Sequence, residues 1–92
     1  MIITVRDTEG QYVLQFIVYA DERIDQLKDK IAKEVGVPID EQVLTLTGRG
    51  DQVMDPPLAL EDGKKNLLQY NVEHNCQLQV HRRDGSQDSQ VL

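Results

Sequence analysis

Apolar residues recur with two different periods along this chain, and the changes of period divide it into elements. Across residues 2–6, Ile3 and Val5 alternate with Thr4 and Arg6; across residues 12–19, Leu14, Phe16 and Val18 fall on one face and Val13, Gln15, Ile17 and Tyr19 on the other. Period two in β-branched and aromatic residues is the signature of a strand. Asp7-Thr8-Glu9-Gly10 between the two runs is turn chemistry, so they predict a β-hairpin. From Asp21 to Val35 the period lengthens: Ile24, Leu27, Ile31 and Val35 share one helical stripe, while Lys28, Asp29, Lys30, Lys33 and Glu34 occupy the remaining positions. This predicts an amphipathic helix, with Asp21 near its N-cap, Gly36 at its end and Pro38 as a stop. Alternation resumes in Val43–Thr47 and again in Cys76–His81, separated by a stretch rich in Gly, Pro and Asp that reads as irregular from Gly48 to about Lys65. Residues 82–92 are polar and without period, the pattern of a tail.

Strand, strand, helix, strand, irregular segment, strand is the order of an α+β roll, in which one helix covers one face of a mixed sheet. Ninety-two residues leave room for one core. With 4% aromatics and no Trp, that core must be built mainly from Ile, Leu and Val. Sixteen acidic against ten basic residues give a net charge of −6, which argues against a nucleic-acid partner, since neutralising phosphates needs a basic face. The longest apolar run, Phe16–Ala20, is far shorter than the roughly 20 residues of a spanning helix, so no membrane partner is expected. The opening Met1–Arg6 lacks the basic and apolar regions of a secretory signal, and the one cysteine, Cys76, can form neither an internal disulfide nor a zinc site by itself. An intracellular protein, cytoplasmic or nuclear and monomeric in isolation, is the expectation.

No grouping of Ser, His and Asp, no phosphate-cradling glycine loop and no paired carboxylates suggest catalysis, so the chain reads as non-enzymatic and without cofactor. Cys76 lacks a basic partner in the sequence and reads as a buried structural thiol. His74 and His81 read as solvated surface residues, and Arg49-Gly50-Asp51, which spells an adhesion tripeptide, reads as a chance match.

Five fragments in this order resemble the ubiquitin-like family: the Thr8-Glu9-Gly10 turn; Ile24, Leu27, Lys28, Lys30 and Ile31 in the helix; Gly36-Val37-Pro38 with Asp40, Gln42 and Leu44; Leu60-Glu61-Asp62-Gly63; and Tyr70-Asn71-Val72. The resemblance runs from Met1 to about Arg83 and implies the β-grasp fold, a mixed sheet of four to five strands with one helix packed across it. It also implies that Tyr70 ties down a loop through its hydroxyl. Residues 1–83 are then the ubiquitin-like domain, with an irregular insertion at about 49–59, and 84–92 are a polar tail or a linker to the rest of a larger protein.

The departures bear on function. Conjugated members of the family end in an Arg-rich strand and a diglycine; here Arg82-Arg83 is followed by Asp84-Gly85. The family's apolar docking face maps onto Thr45, Gln79, His81 and Thr8, all polar or titratable here, with Gly48 kept beside it, Arg49 where a chain-linking lysine would stand, and Arg83 at its end. A second candidate surface is the outward side of the hairpin, where Ile2, Val13, Ile17 and Tyr19 would form an apolar stripe at an edge strand, a feature that normally needs a cover. The cover would be a partner, a neighbouring segment of a parent protein, or this chain's own insertion or tail. The resemblance implies a protein-interaction domain linked to the ubiquitin–proteasome system, to chaperone work or to autoregulation of a ligase or deubiquitinase. The competing readings are a free modifier needing C-terminal processing and a β-grasp adaptor outside that system. Binding of small GTPases would need a basic outward face on the second strand, which Val13, Gln15, Ile17 and Tyr19 do not supply.

Overall fold

The structure, a computed structural model, describes residues 1–8 and 10–83. Strand β1 (Ile2–Asp7) folds back antiparallel onto β2 (Val13–Ile17), with Ile3 opposite Phe16 and Val5 opposite Leu14. Helix α1 (Ile24–Val35) follows, then a 3-10 turn at Ile39–Glu41, β3 (Gln42–Arg49), β4 (Gln52–Ala59) and β5 (Cys76–Arg82). These strands form one mixed sheet in the order β2-β1-β5-β3-β4, with β1 parallel to β5 and the other pairs antiparallel. The inward residues of the strands, Ile3, Val5, Leu44, Leu46, Leu78 and Val80, join Ile24, Leu27 and Ile31 of α1 in a single aliphatic core. Cys76 is buried in that core as a free thiol, and its Sγ accepts the Glu73 N–H at 3.1 Å.

The start of α1 differs from the sequence expectation because tertiary contacts set it. Its N-cap is Arg23, not Asp21, and the first two helical N–H groups are taken by carbonyls of a distant loop: Ile24 donates to Lys65 at 2.9 Å and Asp25 to Gly63 at 3.0 Å. Gln26 Oε1 accepts the Arg23 N–H at 2.9 Å, which pairs another free group of the helix end. At the other end Gly36 takes φ +78° and donates to Ala32, the expected glycine stop.

The expected irregular insertion at 49–59 is instead a hairpin arm. Gly50 and Asp51 make a two-residue turn, glycine first with φ +60°, and β4 then pairs with β3. Gln52 and Val53 oppose Arg49 and Gly48, while Leu58 and Ala59 oppose Leu46 and Thr45. Between these paired ends the chain takes five steps on β4 against two on β3, so Met54-Asp55-Pro56-Pro57 loops out of the ladder. Composition hid the strand because two prolines cannot donate to a ladder; β3 had the unpaired edge that the flanking residues complete.

The segment 60–75 is held by bonds to other elements, Leu67 N–H to the Glu22 carbonyl and Leu68 N–H to the Ala20 carbonyl, both at 2.9 Å, and by polar contacts of its own. Tyr70 accepts the Asp62 N–H on its hydroxyl at 2.9 Å, the role the family resemblance implied, and the Lys65 ammonium lies 5.6 Å from the Tyr70 ring centre.

Candidate interaction surface

Sheet parity sends alternate residues away from the helix, and register then decides which of them meet. Thr45 on β3 stands opposite Gln79 on β5, Val43 opposite His81, and Gln79 is in turn beside Arg6 of the parallel β1. Val13 lies opposite Arg6 and Ala59 opposite Thr45, so one row crosses the whole sheet: Val13, Arg6, Gln79, Thr45, Ala59. The next row brings together Gln15, Thr4 and Gln77. The outward positions of β1, β2, β3 and β5 therefore carry Thr and Gln at the centre, Arg6 and His81 as their cationic or titratable members, and no carboxylate, although the chain as a whole is acidic.

Not every residue expected on the family face joins it. A bulge between Leu46 and Gly48 puts Gly48 opposite Gln77 and Arg49 opposite the buried Cys76, outside Thr45's row. Arg49 is half buried, its Nε shielded from solvent without a hydrogen-bond partner, so it does not present itself as an exposed chain-linking lysine would. Gly48 lies under the Gln77 side chain: a Cβ there would come 2.8 Å from Gln77 Oε1 and 3.0 Å from the Gln52 carbonyl oxygen. Thr8 sits in the hairpin turn, its N–H bonded to the Val80 carbonyl at 3.2 Å, and borders a shallow groove with Tyr12, Val35, Val37 and Arg82. In that groove burial, and secondarily the nearby Asp7 carboxylate, push the Tyr12 phenol above its ordinary pKa. Arg83 follows the end of β5, and its N–H bonds to the Glu41 carbonyl. Its charge acts on the helix: Lys28 is lowered below the usual ammonium pKa, first by burial and then by Arg83.

The second candidate surface is exposed as expected but interrupted. Ile2 is 38% exposed, Val13 58%, Ile17 70% and Tyr19 69%. Ile2 and Ile17 are direct cross-strand neighbours, whereas Val13 is cut off from them by the Thr4–Gln15 pair. The sequence could not show this, because it depends on the hairpin register. His74, expected as a solvated residue, anchors this corner by accepting the Ile2 N–H on Nδ1 at 3.0 Å. The insertion cannot cover the stripe, since β4 occupies the opposite edge of the sheet; the tail 84–92 lies outside the described residues.

A small mixed sheet gripping one helix, with Thr and Gln at the centre of its outer face, defines a protein of the ubiquitin-like class. A family model described as a ubiquitin-like domain matches residues 1–87, and the chain belongs to that family. Among solved structures it is similar to the solution structure of the ubiquitin-like domain of the Arabidopsis thaliana protein At2g32350, with a TM-score of 0.75 and 23% identity over 90% of this chain and 77% of that one. The fold is thus the β-grasp. No curated protein matches. Among the described residues no group of three or more His, Cys, Asp or Glu is placed to hold a metal ion, and no helix is long and apolar enough to cross a membrane.

Proposed function

We propose that this ubiquitin-like domain is a non-catalytic protein-interaction module of a larger intracellular protein, tied to the ubiquitin–proteasome system, to chaperone work or to autoregulation of a ligase or deubiquitinase. The observation that carries the reading is the row Arg6–Gln79–Thr45 in a family whose members dock partners on this side of the sheet. Paired amide and hydroxyl side chains hold water tightly, so an apolar helix covering them gains little of the roughly 25 cal/mol per Å² that an apolar face provides. The face suits a partner that supplies hydrogen bonds, and the absence of carboxylates from it favours acidic groups in that partner.

The test is an NMR titration of the labelled domain with an apolar ubiquitin-receptor helix, following the amides of Thr45, Gln79 and His81. Small, unsaturated shifts are expected in the native chain. A Thr45→Ile, His81→Val double variant should bind the same helix more tightly by about tenfold, the effect of roughly 1.4 kcal/mol of restored apolar contact. Saturating shifts at these three residues in the native chain, at the affinity ordinary for such helices, would refute the divergent-surface reading.

A further inference from the structure

The two edges of the sheet are guarded differently. β4 has Asp55, Pro56 and Pro57 looped out of its middle, which spoils it as a template for another strand. β2, Val13-Leu14-Gln15-Phe16-Ile17, has no proline, no charge and no register shift against β1. Its hydrogen-bonding phase is fixed by its ends: Met1 and Val18 exchange both backbone bonds, at 2.9 and 2.8 Å, and Asp7 donates to Tyr12 at 3.1 Å. Bonded and non-bonded pairs alternate along an antiparallel ladder, so Leu14 and Phe16 point their backbone groups at β1, while Val13, Gln15 and Ile17 point theirs at the open edge. Of these edge groups, among the described residues, the Ile17 carbonyl alone has a partner, the Lys30 ammonium at 3.3 Å. That ammonium is also paired with Glu22 at 2.9 Å.

From this edge we infer that β2 pairs antiparallel with β2 of a second copy of the chain, about a two-fold axis through Gln15. The occupant follows from self-complementarity. Rotation about Gln15 sets Gln15 against Gln15 of the second copy and Val13 against its Ile17, and these are the residues whose backbone groups face outward, so each such pair can exchange two hydrogen bonds. The Ile17 carbonyl has a second lone pair for the incoming N–H while keeping Lys30. The same register seats the two most exposed apolar residues of the strand side by side, as an aliphatic cross-strand pair on each side of the axis. Charge agrees: a chain of net −6 repels its copy through most of its surface, and β2 is a stretch with no carboxylate to bring together. The two sheets become one continuous sheet with both helices on the same side, and the apolar edge is covered. This interface uses Val13, which ends that row, but none of Arg6, Gln79 and Thr45, so the two proposals are tested separately.

The experiment is sedimentation of the 92-residue chain over a concentration series to about 1 mM, where weak strand-pairing dimers are populated. A concentration-dependent dimer is expected, and Gln15→Lys, which sets two ammonium groups face to face on the axis, should weaken it by about tenfold. Register is read by cross-linking under mild oxidation, with the native Cys76 buried. Gln15→Cys should form a disulfide-linked dimer, since hydrogen-bonded partners lie about 5.5 Å apart at Cα. Val13→Cys alone should not, but should cross-link when mixed with Ile17→Cys. A chain that stays monomeric to 1 mM, a dimer indifferent to Gln15→Lys, or cross-linking no better at Gln15 than at Val13 would each overturn the proposal.

Discussion

Gln42 fastens two elements with one side chain: buried, it donates from Nε2 to the Lys28 carbonyl at 2.8 Å and the Val37 carbonyl at 3.0 Å, closing the C-terminal end of the helix onto β3. Single contacts of this kind are where residue-scale predictions fall. Tyr70→Phe keeps the ring and the Lys65 contact but removes the acceptor for the Asp62 N–H. The loss should be about 1 kcal/mol, read as a lower urea midpoint with unchanged slope. Gly48→Ala places a methyl against the end of the Gln77 side chain, which can swing away, and against the Gln52 backbone carbonyl, which cannot move without the β4 hairpin. A destabilisation of about 1–2 kcal/mol is expected, with the largest amide shifts at Gln52 and Val53 rather than in the core.

At the scale of elements, β4 shows how a ladder tolerates surplus chain. Its paired ends are in register with β3, and only Met54–Pro57 departs. Deleting Asp55, Pro56 and Pro57 equalises the steps on the two strands. The deletion should leave the thermal midpoint unchanged or slightly raised, because shortening a surface loop lowers its closure entropy by only a few tenths of a kcal/mol. A collapse of the fold on deletion would show that the loop is held by contacts of its own. The helix makes the complementary point. Its stripe was readable from spacing, but its first turn is capped by Gly63 and Lys65, some forty residues away in sequence, and no local pattern announces that.

Across the whole molecule, two titrating groups act in opposite directions at alkaline pH. Lys28 has a folded-state pKa below its unfolded value of 10.5, so the fold binds fewer protons than the unfolded chain between the two. Stability therefore rises with pH through that interval as the penalty on the half-buried ammonium is relieved. Tyr12 is raised above 10.0 in the fold, so its contribution is present below that pH and is lost as pH climbs through the folded value. Arg83→Gln removes the smaller of the two causes acting on Lys28. Its pKa should move part of the way back up, which pH-dependent acylation of that amine, followed by mass spectrometry, would measure. If the Lys28 profile does not move in Arg83→Gln, the two charges are not coupled.

The sequence alone determined the order of the helix and of four of the five strands, the inward faces of β1, β2, β3 and β5, the helical stripe and the family, because each rests on a local period or on fragments in a fixed order. Ile3, Val5, Leu44, Leu46, Leu78 and Val80 were legible as core from alternation alone. Exposure of Ile2, Val13, Ile17 and Tyr19 follows from the place of β2 at an edge of the sheet. What the tertiary structure decided is which residues stand beside which. Register splits the apolar stripe at Thr4 and Gln15; a bulge takes Arg49 out of Thr45's row; pairing with β3 turns a proline-rich stretch into a strand. The physical reason is common to all three: period fixes a side chain's face within its own strand, whereas its neighbours are fixed by hydrogen-bond register with strands that are distant in sequence.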